Sequence, residues 1–330
     1  MLYKIFSGCL KACLLLMPFS FVHADALTDF LQTHQASIQN QAQNDEDPLL
    51  HLIQNVDDVA SDDVVFTPQE NWTDWNFQSN MEDYLNVSAS SAMIVDPKSN
   101  QVLYQKNAQT RRPIASISKL MSAMVVLDAK QNMNDVLTIT EEDIDYLKNS
   151  SSRLTVGTQL TRREMLHIGL MASENRAIHA LGRYYPGGMS AFLKAMNQKA
   201  KALGMQNTVF YDPTGLDPRN QATAQDLVQM VIAAHQYPLI RQYSTATSGS
   251  VFTASGRMEN YRNSNALVRG GEWDIELQKT GYIREAGRCM VVYANIQKRP
   301  LIIVLMNSPS TTRRVSDAQN MRNWITNQSL

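Results

Sequence analysis

The stretch from Pro113 to Val126 reads PIASISKLMSAMVV, an apolar run that opens on Ser116 and Lys119, three residues apart. Positions i and i+3 of a helix share one face, so these two side chains lie within reach of each other. A serine hydroxyl is a weak nucleophile until a base takes its proton, and a lysine amine is such a base only when its pKa is lowered. Backbone amides at a helix start lack partners, so the amide of Ser116 is placed to donate to a developing oxyanion. The pair has the parts of an acyl-transfer site. A solvated serine beside a solvated lysine is the plain alternative, and the pattern alone does not choose between them.

Two further groups follow in order. Ser173-Glu174-Asn175 stands 57 residues after Ser116, where two stretches of helical periodicity meet. Lys279-Thr280-Gly281 stands a further 106 residues on, beside a strand-like run. Singly, these read as an N-cap serine and a turn. Together, S-x-x-K, S-x-N and K-T-G in this order form the motif set of penicillin-binding proteins and class A β-lactamases.

From about Ser91 to Trp324 the chain resembles the low-molecular-mass penicillin-binding proteins of the D-alanyl-D-alanine carboxypeptidase/endopeptidase family. The resemblance extends through ALGMQNTVFYDPTGLDPRNQATAQDL, NSNAL at Asn263–Leu267, QKTGYIREAGRCMVVYA and DAQNMRNW. SENRA followed by YYPGG is most similar to the murein D,D-endopeptidase branch. Resemblance to that branch also implies a chain without the extra β-domain and membrane-anchoring helix of many carboxypeptidase relatives. The resemblance implies a periplasmic serine-type D,D-endopeptidase that hydrolyses D-Ala–diaminopimelate cross-links of peptidoglycan. A D-alanyl-D-alanine carboxypeptidase acting on pentapeptide stems is the alternative. Implied partners are peptidoglycan stem peptides and β-lactam antibiotics as covalent inhibitors; a weak association with the membrane or with wall enzymes stays open.

Carried onto this sequence, the resemblance makes Ser116 the nucleophile and Lys119 its base, with burial and the nearby ammonium of Lys279 lowering the base's pKa. Ser173 would relay a proton to the leaving amine, and Asn175 would hold the substrate amide. Lys279 and Thr280 would bind the anionic end of the substrate, and Gly281 would let its backbone approach. The amides of Ser116 and Tyr282 would form the oxyanion hole. Tyr282 departs from the small or polar residue often found there, which bears on substrate shape.

Other activities fit less well. Class A β-lactamases hydrolyse their acyl-enzyme with a glutamate between the second and third motifs, and no Glu occurs between Arg176 and Met258. A non-catalytic β-lactam sensor or wall-binding module would not need the intact Ser116, Lys119 and Ser173 set. The six histidines form no HExxH and no zinc-ligand spacing, so neither a metal nor another cofactor is expected. His179 reads as a structural histidine. No nucleic-acid motif is present.

The elements that position these residues are legible as periodicity. SAMIVD and QVLYQK flank Pro97–Asn100 as a β-hairpin. Helices are expected over Thr161–Ala172, Glu174–Tyr184, Gly188–Leu203 with Gly204 as its stop, and Thr223–His235. GRCMVVYANI and RPLIIVLMNS read as strands, and SDAQNMRNWITN as a last amphipathic helix. Strands at both ends and helices between them predict an α+β fold of the β-lactamase/transpeptidase type. Its mostly antiparallel sheet and helical cluster would hold the active site between them.

Charge is strongly asymmetric. Thirteen acidic residues fall between Asp25 and Asp83, while no Lys or Arg occurs between Lys11 and Lys98. From Asn86 onward 28 Lys and Arg face 18 Asp and Glu, a balance that suits an anionic polymer. Residues 1–24 read as a secretory signal: Lys4 and Lys11, the apolar CLLLMPFSFV, then Val22-His23-Ala24, with cleavage after Ala24. That run is about half the roughly 20 residues a membrane span needs. Cys289 is then the lone thiol of the mature chain and reads as a small buried hydrophobe. Residues 25–78 form an acidic, Gln/Asn-rich arm, flexible in part, with a short helix after Asp47-Pro48 and a Trp72, Trp75, Phe77 cluster that suggests docking. Residues 79–330 form the catalytic domain.

Overall fold

In the computed structural model the described residues are 76–77 and 85–327. Strand β1 (Asn76–Phe77) pairs in parallel with β3 (Gln101–Lys106), which forms the expected hairpin with β2 (Ser91–Asp96). The arm's end thus joins the sheet at Asn76–Phe77; the expected helix after Asp47, Trp72 and Trp75, and the signal segment lie outside the described residues. Two-residue strands β4 (Arg112–Pro113) and β7 (Gln221–Ala222) pair with each other, as do β5 (Val136–Thr138) and β6 (Gln159–Thr161). A further hairpin joins β8 (Ser248–Phe252) to β9 (Met258–Arg262). The closing strands are β10 (Asp274–Ile283), β11 (Gly287–Ile296) and β12 (Arg299–Ser308). The main sheet runs β1-β3-β2-β12-β11-β10, with antiparallel pairing everywhere except β1–β3. The first long strand and the last meet where Ile303 pairs with Ile94.

Helices α1 (Lys119–Asp128), α2 (Arg162–Met171), α3 (Asn175–Arg183), α4 (Gly188–Ala202), α5 (Ala224–His235), α6 (Pro238–Thr245), α7 (Ala266–Gly270) and α8 (Thr311–Asn327) complete the fold. This is the expected α+β arrangement. Side-chain caps set the starts of several of them. Thr161 and Glu164 form a reciprocal capping box at α2, with Thr161 Oγ1 accepting from the Glu164 amide at 3.1 Å. Thr223 accepts from the Asp226 amide at 3.1 Å and caps α5. Gly204, at φ +74°, ends the α4 region, as its position predicts. The last helix starts five residues before Ser316. Ser310 Oγ accepts from the Arg313 amide at 3.1 Å and caps it, and Arg314 is buried instead of solvated.

Alternate residues of the sheet serve two cores. Met93, Val95, Val291, Ile302 and Val304 face the helical cluster. Ile94, Val292, Ile303 and Leu305 face α8, which contributes Met321 and Ile325. Covering both faces is what lets these strands read as continuous apolar runs. Helix α1 is buried from Lys119 through Val126. A helix enclosed on all sides is uniformly apolar, and here it carries one lysine into that interior.

Candidate active site

The site begins with a strained turn. Ala115 has φ +48°, and Ala115–Ser118 form one 3-10 turn before α1. The first bonded amide is that of Ile117, which donates to the Ile114 carbonyl at 3.2 Å. Ser118 Oγ donates to the Ala115 carbonyl at 2.9 Å and accepts from Asn220 Nδ2 at 3.0 Å, so the turn is held from below. Two glycines lie directly against it. A Cβ on Gly215, at φ +85°, would stand 1.8 Å from the Ala115 carbonyl oxygen. One on Gly281 would stand 2.9 Å from the Ser116 amide nitrogen. The close approach at Gly281 is thus made by the protein's own backbone, which brings β10 onto the turn that carries Ser116. Sequence reasoning assigned that clearance to the substrate.

Lys119 is fully buried. Its Nζ lies 2.8 Å from Ser116 Oγ, and it donates to Asn175 Oδ1 at 2.7 Å and to the Thr214 carbonyl at 2.8 Å. Burial pushes its pKa down to about 7, against the pull of the carboxylates of Asp212 and Glu174. The expected second cause falls elsewhere. Lys279, also fully buried, is the group whose pKa the neighbouring charge lowers: burial acts first, then Lys119 and Arg314. Lys279 Nζ donates to the carbonyl of Thr280 at 2.9 Å.

Along β10, Thr280 is nearly buried and donates from Oγ1 to Ser264 Oγ at 2.8 Å. Tyr282 turns outward, with the Arg288 guanidinium carbon 3.3 Å from its ring centroid. Across the site, Ser173 sits between α2 and α3 at φ +65°, a conformation costing about 1–3 kcal/mol in a non-glycine residue. Its hydroxyl makes no hydrogen bond among the described residues. Asn175, the first residue of α3, is doubly engaged: Oδ1 accepts from Lys119, and Nδ2 donates to Ser150 Oγ at 3.0 Å. The second N–H of Nδ2 is left for a substrate carbonyl.

Four contributors escaped sequence reasoning. Asp212 accepts from the amides of Gly215 at 2.9 Å and Leu216 at 3.2 Å, which holds the loop that presents the Thr214 carbonyl to Lys119. Ser150 and Ser264 complete the surroundings of Asn175 and Thr280. The only available signal was the DPTGLDP and NSNAL resemblance, which assigned no roles. His179 contacts Asp143, with Nδ1 2.8 Å from the carboxylate, in keeping with a structural histidine. Among the described residues no three His, Cys, Asp or Glu side chains form a metal-binding group.

Fold and site together define a serine hydrolase of the penicillin-recognising, acyl-transfer type. The chain belongs to the D-alanyl-D-alanine carboxypeptidase family, whose model matches residues 77–310. It is 42% identical over 240 residues to a D-alanyl-D-alanine endopeptidase of Pseudomonas aeruginosa, across 72% of this chain and 77% of that protein. A D-alanyl-D-alanine endopeptidase of Escherichia coli K12 is 43% identical over the same shares. Among solved structures, the Streptomyces K15 DD-transpeptidase superposes with a TM-score of 0.68 at 28% identity, covering 72% of this chain and 97% of that one.

Proposed function

We propose that this chain is a periplasmic D,D-endopeptidase that cuts D-Ala–diaminopimelate cross-links through an acyl-enzyme on Ser116. The observation that carries the reading is the buried Lys119 amine, 2.8 Å from Ser116 Oγ with a pKa near 7. A neutral amine has two N–H groups and one lone pair. With Asn175 Oδ1 and the Thr214 carbonyl taking the N–H groups, the lone pair is left for the Ser116 proton. As that proton moves to Nζ, Oγ attacks the D-Ala carbonyl carbon, and the oxyanion is held by the amides of Ser116 and Tyr282. The C–N bond then breaks, and the leaving amine takes a proton through Ser173 Oγ from Lys119. Water, deprotonated by Lys119 in turn, hydrolyses the ester. Lys279 and Thr280 receive the carboxylate beside the scissile amide. That carboxylate supplies the counter-charge Lys279 lacks and favours its ammonium form.

Export by the residue 1–24 signal places the mature chain where peptidoglycan is. The same chemistry predicts slow-leaving penicilloyl adducts on Ser116. Digestion of purified muropeptides by the mature protein tests the assignment, with Ser116→Ala as control. Splitting of a cross-linked dimer while a monomeric pentapeptide survives is the expected outcome. Removal of terminal D-Ala from the pentapeptide alone would assign a carboxypeptidase instead.

A further inference from the structure

Beside Ser173 lies a pocket of about 270 Å³, walled by Ser173, Glu174, Asn175, Arg153, Tyr261 and Arg262. By volume it corresponds to roughly nine water molecules, far more than the methyl group of a departing D-Ala requires. Its chemistry is that of an anion site. Neither Arg153 nor Arg262 pairs with a carboxylate among the described residues. Arg153 is held in place: Nη1 donates to the Asn260 carbonyl, and the guanidinium carbon lies 5.2 Å from the Tyr261 ring centroid. A guanidinium anchored on one edge keeps its other N–H donors for a planar partner. Arg262 is exposed at the end of β9, and its side chain makes no hydrogen bond among the described residues. The one acid in the wall, Glu174, is largely buried and already engaged. It accepts from Ser152 Oγ at 2.7 Å, from the Arg176 amide at 3.3 Å and from Tyr261 Oη at 3.4 Å.

We infer that this pocket is the subsite for the amine-side stem peptide, with Arg153 and Arg262 pairing with one of its carboxylates. The inference rests on the endopeptidase reading above. Two placements put it on the leaving side. Ser173, which hands the proton to the leaving amine, forms part of its wall. Two residues past the end of the strand that supplies Tyr261 and Arg262 stands Ser264, whose Oγ accepts from Thr280 Oγ1 at 2.8 Å. A diaminopimelate leaving residue extends well past the scissile nitrogen and is joined to further carboxylates. A terminal D-Ala has nothing beyond its own carboxylate, which Lys279 and Thr280 already take. The pocket therefore rewards a cross-link over a pentapeptide end.

Arg153→Gln, Arg262→Gln and the double variant test this in the full mature chain. Three reactions are followed: cleavage of a cross-linked muropeptide dimer, cleavage of the same dimer with every amine-side carboxylate amidated except the one beside the scissile amide, and penicillin acylation of Ser116 as reference. Each substitution should lower the ratio of dimer kcat/KM to acylation rate by roughly tenfold, mainly through KM, as expected for one lost charge-assisted contact. Wild type should cleave the amidated dimer at the reduced rate, and the substitutions should add little to that loss. An unchanged ratio, or equal losses on free and amidated dimers, overturns the subsite while the endopeptidase reading stands. A wild type that is acylated but splits neither dimer overturns the endopeptidase reading, and the subsite falls with it.

Discussion

Under the last helix, the buried carboxylate of Asp317 accepts from the Ser88 amide at 2.8 Å, the Ser88 hydroxyl at 2.7 Å and the Ala89 amide at 2.9 Å. Asp143, also buried, accepts from Arg183 Nη2 at 2.8 Å and from the Thr140 amide at 2.8 Å, with His179 Nδ1 2.8 Å away. At the head of α1 the enclosed charges are amines. Lys119 and Lys279 are as deeply enclosed, yet Lys119 meets an amide oxygen, a hydroxyl and a carbonyl, and Lys279 a carbonyl. Asp143 is given the Arg183 guanidinium as a counter-charge, while Asp317 is held by neutral donors. The two site amines are denied a direct carboxylate, so burial keeps one of them titratable near neutrality.

Replacing Lys119 by Met presses hardest on that contrast. Penicillin acylation of Ser116 should fall by about 10²–10⁴-fold, the usual worth of a general base. Stability should rise, because an apolar side chain of similar volume relieves the unpaired amine. The sign follows from linkage: the folded pKa near 7 lies below the unfolded value of 10.5, so the unfolded chain binds more protons between them. The Tm advantage of Lys119→Met is therefore full below about pH 7 and closes as pH approaches 10.5. Retained acylation, or a Tm gap that ignores pH, breaks the comparison.

Asp317→Ala is the converse. It strands the Ser88 and Ala89 amides and should cost about 2–3 kcal/mol in urea unfolding. Acylation by the folded protein should keep its wild-type rate, since Asp317 sits on the α8 face of the sheet. A loss of acylation rate without a loss of stability would merge the two regions.

The smallest effect separates them by pH. Acylation should fall about tenfold per pH unit below about 7 as Lys119 gains a proton. Burial alone would raise the Asp143 pKa, but hydrogen bonds from His179, Arg183 and Thr140 hold it below the usual 3.8. Its contribution to stability is thus present above that value and is lost only as pH falls through the lower folded one. At about pH 5 acylation should be down roughly a hundredfold with the fold intact by circular dichroism. Unfolding in step with acylation would assign both to one titration.

Much of the scaffold was legible because its signals are local. Thr161 with Glu164, Thr223 and Gly204 bound their helices through contacts within one turn, and the β2, β3, β11 and β12 runs appear with the residues expected. The hairpin β8–β9 and helix α6 escaped because they are short and owe their place to distant partners. Asn263 Nδ2, for example, donates to the Ser244 carbonyl at 2.9 Å and the Ala246 carbonyl at 2.7 Å. The early start of α8 escaped because its cap, Ser310, precedes the expected start at Ser316 by six residues.

Within the site the division is similar. Residue type and order grouped Ser116, Lys119, Ser173, Asn175 and Lys279–Gly281 as one motif set, since each motif spans at most four residues, and the family resemblance added Tyr282 and the expected roles. Tertiary structure decided what state those groups occupy. The depression of the Lys119 pKa comes from enclosure by segments far along the chain. The Thr214 carbonyl on Lys119, Ser150 on Asn175, and Gly215 and Gly281 against the Ser116 turn are contacts between segments up to 166 residues apart. No local pattern encodes a desolvation energy: the sequence names the reacting atoms, and only packing sets their protonation.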